Sequence, residues 1–157
     1  MDRKTKLRGV CLLTVLLVVV TGAFAEQTAM EKAADLIAEG IAHIYRVGED
    51  QAFKDFSDRE GPFVDGAFYI FVVDFDGITL AHGGNPALVG MNMSELKDAN
   101  GVYFIREFIK AAQTNGEGWV DYKWSNPETK RIEDKTSLVK RFGTSSYFLG
   151  CGIYKEN

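Results

Sequence analysis

Phe68-Tyr69-Ile70-Phe71-Val72-Val73-Asp74-Phe75-Asp76-Gly77-Ile78-Thr79-Leu80-Ala81-His82 is the stretch that decides the fold. Six β-branched or aromatic residues in succession, 68 to 73, fit a pleated surface better than a helix. Asp74 to Gly77 then supplies turn chemistry, and the apolar run resumes at Ile78. Two short strands around an Asp-Gly turn make an antiparallel hairpin.

Upstream of the hairpin the period changes. Met30, Ala33, Ala34, Ile37, Ile41, Ile44 and Tyr45 recur at the three- and four-residue spacing of a helix with one buried stripe. The spacing predicts a helix from about Glu31 to Arg46, weakened at Gly40 and broken near Gly48. A second amphipathic turn carries Ala52, Phe53 and Phe56 and ends at Gly61-Pro62. Downstream, Gly83-Gly84-Asn85-Pro86 opens a loop, with a short helical turn expected at Ser94 to Leu96. A helix with Val102, Ile105, Ile109 and Ala112 on one stripe follows, with Phe104 and Phe108 beside it. Three further strands are expected at 119 to 124, 132 to 140 and 147 to 154, separated by Asn126-Pro127 and Phe142-Gly143. Helix, hairpin, helical crossover and three-strand meander describe an α+β domain with one antiparallel sheet.

The first twenty-five residues read as a targeting segment. Arg3, Lys4, Lys6 and Arg8 precede an apolar run from Val10 to Val20, which is short for a bilayer span, and Ala23-Phe24-Ala25 is a small-x-small cleavage site. A secreted mature chain starting at Glu26 is expected, with an uncleaved N-terminal anchor as the alternative. Cys11 follows Arg8-Gly9-Val10, which is not a lipidation context. Taking these residues away removes four basic residues and one acid. The remaining 14 Lys+Arg face 21 Asp+Glu, a formal charge of −7. Nucleic acid and anionic membrane are poor partners for such a chain. Residues 26–157 suffice for one domain, and Cys151 alone remains as a thiol, so neither an internal disulfide nor a Cys-x-x-Cys-His haem site is available.

The ordered pieces Phe71-Val72-Val73-Asp74-Phe75-Asp76-Gly77, Leu80-Ala81-His82, Asn85 to Asn92, Leu96-Lys97-Asp98 and Gly101, Phe104 to Glu107, Gly118 to Trp124, Lys135 to Val139 and Gly150 to Tyr154 resemble single Cache domains of the second subtype. The resemblance covers nearly all of the chain after residue 25. It implies a PAS-like fold, with a long N-terminal helix packed on one face of a five-stranded antiparallel sheet and a ligand pocket on the other. It also implies an extracytoplasmic sensor role of the kind found in chemotaxis and signal transduction, often for small carboxylates. The chain departs from the common pattern at His82-Gly83-Gly84, where Pro is frequent, and at Leu138, where an aromatic is frequent. It carries no second apolar span after Tyr154, so a standalone periplasmic binding module without its own output domain is expected.

Several residues are candidates for the site. Lys135 shares a strand face with Glu133, Ser137 and Val139 and is placed to anchor a carboxylate; the alternative is an exposed edge lysine. Arg106, on the shoulder of its helix stripe, offers a bidentate fork or else a surface pair with Glu107 or Glu117. Tyr122 and Trp124 share a face with Val120 while Trp119 points the other way, and all three suit either pocket walls or core. His82 is a ligand-orienting or pH-responsive group or a satisfied structural histidine. Tyr69 and Tyr103 are secondary candidates. Gly150 and Gly152 bare one strand face, which permits close approach by the N-terminal helix or by a ligand, the helix being the leading reading.

Asp74 and Asp76 lack the further acids of a calcium loop, and Cys151 has no activating neighbour. No metal, cofactor or nucleophile-and-base constellation is readable, so an enzyme is not expected. The leading function is binding of a small organic acid. The alternative is an interaction protein without a ligand that docks to a membrane sensor kinase or chemoreceptor.

Overall fold

A computed structural model describes residues 6–155, with side chains from residue 24 onward; the leader read over residues 1–25 therefore falls largely outside the described side chains. The chain runs α1 (Lys6–Val47), α2 (Glu49–Phe56), β1 (Val64–Asp65), β2 (Phe68–Tyr69), β3 (Phe71–Asp74), β4 (Thr79–His82), a 3-10 turn (Pro86–Leu88), α3 (Phe104–Asn115), β5 (Glu117–Ser125), β6 (Ile132–Arg141) and β7 (Tyr147–Tyr154). β3 to β7 form one five-stranded antiparallel sheet in the order β4-β3-β7-β6-β5. This is the expected α+β, PAS-like architecture.

α1 lies on one face of that sheet. Its buried residues Ala33, Ile37, Gly40 and Ile44 recur at four, three and four, the stripe read from the sequence. They pack on Ile70, Val72, Leu149, Cys151 and Ile153, in the cluster that Phe56 of α2 completes. The helix runs unbroken through Gly40. A Cβ at that position would stand 2.5 Å from Ile70 Cδ1, so glycine lets the helix axis approach the sheet closely. The break falls at Gly48, whose φ of 83° ends α1 and starts α2.

The hairpin forms as expected, for reasons visible in its turn. Asp74 Oδ1 accepts from the backbone N–H of Asp76 (3.0 Å) and Ile78 (2.8 Å), and Gly77 takes φ 87°. The run 68 to 73 is not one strand, however. Ile70 N–H donates to Phe63 O and Ile70 O accepts from Gly83 N–H, so the chain steps between a small ladder with β1 and the main sheet.

The expected helical turn at Ser94 to Leu96 is instead a non-helical turn, and the short helix lies earlier, at Pro86–Leu88. Asn85 Oδ1 accepts from Ala87 N–H, and Pro86 at the first helical position suits the 3-10 start. The loop covers the edge of β4, with Thr79 N–H donating to Met91 O and Gly90 N–H to Thr79 O. At the far end, Asp98 accepts from Asn100, Val102 and Lys123 N–H groups, which ties the loop to the opposite edge strand β5.

Candidate functional site

The second face of the sheet carries the other core, which α3 covers through Phe104, Ile105, Phe108 and Ala112. Strand alternation puts Phe71, Val73, Tyr122, Val139 and Phe148 on this face. Phe104 stacks on Tyr122 with ring centroids 4.8 Å apart, and Trp124 meets Phe104 edge-on at 5.3 Å. The rings nearly fill the space. The cavity left among Phe71, Thr79, His82, Met93, Phe104, Tyr122 and Trp124 is about 20 Å³, room for about one water.

Lys135 is the chemically unusual member of this face. It is 1% exposed and stands opposite Tyr122 on one side and Tyr154 on the other. Its Nζ donates to the Tyr69 hydroxyl at 2.7 Å and to the Tyr154 hydroxyl at 3.3 Å, and lies over both rings. No carboxylate is among these partners. Two phenols and two π-faces offset only part of a desolvation cost of several kcal/mol. Burial accordingly lowers the Lys135 ammonium to about 7.

The neighbouring groups are held in defined states. Burial, followed by the nearby Lys135 charge, lowers the His82 imidazole to about 3. The ring is therefore neutral near pH 7, and Nδ1 accepts from Asn85 N–H at 2.9 Å, which leaves the proton on Nε2 as a hydrogen-bond donor. Burial raises the Tyr69, Tyr122 and Tyr154 hydroxyls, so all three stay protonated. Tyr122 pairs with Ser137 Oγ at 3.0 Å, and Tyr154 donates to Ser125 O at 2.8 Å.

Glycines make the room. A Cβ at Gly152 would sit 2.1 Å from Ser137 Oγ and 2.5 Å from Lys135 Cε, and one at Gly150 would sit 2.2 Å from the Phe71 ring. Both glycines thus lie on the α3 side of the sheet, with Phe71 and Lys135, which corrects the leading reading that they admit the N-terminal helix. Gly84 does the same service for Tyr69, whose ring would lie 2.7 Å from an added Cβ. Overpacking of this kind costs about 1–3 kcal/mol. We expect Gly150→Ala to lose that much stability in chemical denaturation, since the backbone on both sides of Phe71 is locked in strands.

Of the residues singled out from the sequence, Lys135, Tyr69, His82, Tyr122 and Trp124 come together on this face. Trp119 packs with the α1 cluster, on the opposite side. Arg106 does not reach the pocket. It pairs with Glu95, donates to Ser94 O and lies over the Tyr103 ring, with its side chain 47% exposed. Tyr103 is stacked between Lys97 and Arg106 on that same outer surface. Sequence reasoning missed Tyr154, Phe71, Phe104 and Phe108. Only the Tyr154 position, opposite Lys135 across the β6–β7 register, had a readable signal, in the alternation of β7.

Outside His82 and Trp124 lies an open recess of about 200 Å³, which Tyr69 also lines together with Arg59, Gly84, Asn85 and Lys130. His82 and Trp124 therefore form the wall between recess and inner cavity. Among the described residues there is no group of three metal-ligating side chains, and no helix is long and apolar enough to cross a membrane.

Comparison with known proteins places these features in a lineage. Residues 59–157 match the family model described as Cache domain. Over 89 residues the chain is 35% identical to the sensor histidine kinase MctS of Rhizobium johnstonii and 26% identical to the methyl-accepting chemotaxis protein McpP of Pseudomonas putida. Those matches cover 57% of this chain but only 19% and 16% of the two relatives, so the chain spans less than a fifth of their length. Among solved structures, a methyl-accepting chemotaxis protein from Vibrio parahaemolyticus superposes with a TM-score of 0.74 at 24% identity, covering 87% of this chain and 95% of that one. A periplasmic sensor domain of a chemotaxis protein gives 0.64 at 26% identity, covering 88% and 98%. A Cache chemosensory domain studied for carboxylic acid recognition gives 0.72 at 24% identity, covering 85% and 98%.

Proposed function

Because this chain belongs to the Cache domain family, we propose that it is an extracytoplasmic sensing module that binds a small organic acid through Lys135. The observation that carries this reading is a fully buried ammonium hydrogen-bonded to neutral phenols, with no acid beside it. An incoming carboxylate at about 4 Å offers roughly 4 kcal/mol of Coulomb attraction at an effective dielectric near 20, which the phenols cannot match. Tyr69 and the neutral His82 stand ready as further donors, and Tyr122 and Trp124 form walls. A thermal-shift screen of short-chain organic acids against the folded protein tests the reading, because a ligand that binds only the native state raises its apparent stability. Amino acids serve as the contrast, since neither the cavity nor the recess presents an acid to an ammonium. If no organic acid shifts the transition, the reading fails.

The inner cavity of about 20 Å³ is smaller than an organic acid and Lys135 is not among its lining residues, so occupancy at Lys135 requires a wall to move. Trp124 is in that wall. Titration with a bound acid is expected to change Trp124 emission, and the Trp124→Phe variant, which keeps Trp119, is expected to lose the change.

Sensing outside the cytoplasm rests on the leader. The mature protein is proposed to begin at Glu26, after Ala23-Phe24-Ala25. Intact mass of protein recovered from a periplasmic fraction is expected to equal residues 26–157. A mass that retains residues 1–25 in a membrane fraction means an anchor instead.

A further inference from the structure

The recess outside the His82–Trp124 wall has a chemical character that the inner pocket lacks. Two of its lining residues, Arg59 and Lys130, are cations, and none is an acid. That is notable in a chain with 22 acids against 18 bases. Five other Lys and Arg residues, Lys32, Arg106, Lys123, Lys140 and Lys155, are engaged in ion pairs, while Arg46, Lys54, Lys97, Lys110, Arg131 and Arg141 are in none among the described residues but do not line this recess. Arg59 and Lys130 belong to no ion pair among the described residues. Lys130 Nζ donates only to the Pro127 carbonyl of its own turn.

The two cations come from different elements. Arg59 follows α2, and Lys130 sits in the β5–β6 turn with φ 61°, the one non-glycine residue of positive φ among those described. That turn is fixed from inside. Asn126, 5% exposed, donates to Glu133 and accepts from Glu128 N–H, while Lys130 N–H donates to Asn126 O. The recess meets Lys135 through a single side chain. Tyr69 lines the recess, and its hydroxyl accepts from Lys135 Nζ at 2.7 Å.

We infer that Arg59 and Lys130 form an outer anion subsite, so that the ligand is a short dicarboxylate with one carboxylate on Lys135 and the other in the recess. This rests on the reading of Lys135 as the inner anchor. The carbon chain would cross between them beside Tyr69, His82 and Trp124. Gly84 leaves that passage without a side chain of its own, since any Cβ there would strike the Tyr69 ring. A guanidinium and an ammonium at an open mouth suit a carboxylate that stays partly hydrated, whereas a monocarboxylate would leave both cations facing water.

The test is calorimetric titration of the parent, the Arg59→Gln/Lys130→Gln double variant and Lys135→Met, each with butyrate and with α,ω-dicarboxylates of three to six carbons. The expected result is at least one dicarboxylate that binds the parent tenfold or more tighter than butyrate. In the double variant that advantage should vanish, with butyrate affinity held within twofold. Both substituted side chains are exposed, so circular dichroism should show an unchanged fold. Equal losses for both acid classes, no loss for either, or no dicarboxylate binding to the parent overturns the outer subsite. Lys135→Met separates the two readings. If it weakens every acid while the double variant has no selective effect, the inner anchor stands alone; if it weakens none, the anchor itself is wrong.

Discussion

Lys135→Met binds an organic acid found in the screen about ten- to a hundredfold or more weakly than the parent, measured by calorimetric titration. A charge-assisted hydrogen bond contributes about 1.5–3 kcal/mol, and that energy converts to this range of affinity. The fold persists in the variant. Methionine keeps much of the apolar stem and removes a charge that is 1% exposed with only phenols for partners. Removing a poorly compensated buried charge is neutral or stabilising for the ligand-free protein. The variant therefore keeps or raises its own transition temperature and loses the ligand-induced increase. Unchanged affinity in a folded variant moves the anchor to another donor of the same face, His82 or Tyr69.

Affinity for the same acid falls about fivefold from pH 7 to 8 and about tenfold more from pH 8 to 9, roughly fiftyfold in all. The cause is the ammonium of Lys135, which burial lowers to about 7 and which must be protonated to hold an anion. Binding above that pH takes up a proton, so titrations in buffers of different ionisation enthalpy yield different apparent heats. Below pH 7 the affinity is flat until the ligand's own carboxylate protonates. The stability of the empty protein has the opposite slope. The unfolded lysine titrates near 10.5, so between about 7 and 10.5 the unfolded chain binds more protons than the native one and stability rises with pH. Above about pH 10 the raised tyrosines reverse this trend. Lys135→Met removes the rise. An affinity that stays constant from pH 7 to 9 shows that the bound form does not depend on this proton.

The sheet face of each strand residue was legible because the period of two is strict. Tyr122 and Trp124 part from Trp119 as alternation requires, and Lys135 falls beside Ser137. The partner of Lys135 was not legible. Tyr69 lies 66 positions away, and the contact exists only because β7 inserts between β3 and β6, an order that no local pattern encodes. For Arg106 the choice between a pocket fork and a surface pair turned on the phase of a helix, and the pair formed is with Glu95 rather than Glu107 or Glu117. The buried stripe of α3 is Phe104, Ile105, Phe108 and Ala112, turned from the stripe through Val102 and Ile109, and that turn carries the guanidinium outward to Glu95. The glycines of β7 were read with the right consequence and their neighbour left between helix and ligand, since alternation assigns a shared face but not which layer covers it.

Strand β7 presents Leu149, Cys151 and Ile153 to α1 and, at Gly150 and Gly152, nothing but backbone to the α3 side. The groups that fill that bare space, Phe71 and Lys135, belong to other strands. Replacing Phe71 or Lys135 thus alters the shape and charge of that side without touching a side chain of the helix-facing row, so β7 works as a partition whose two sides can be redesigned one at a time.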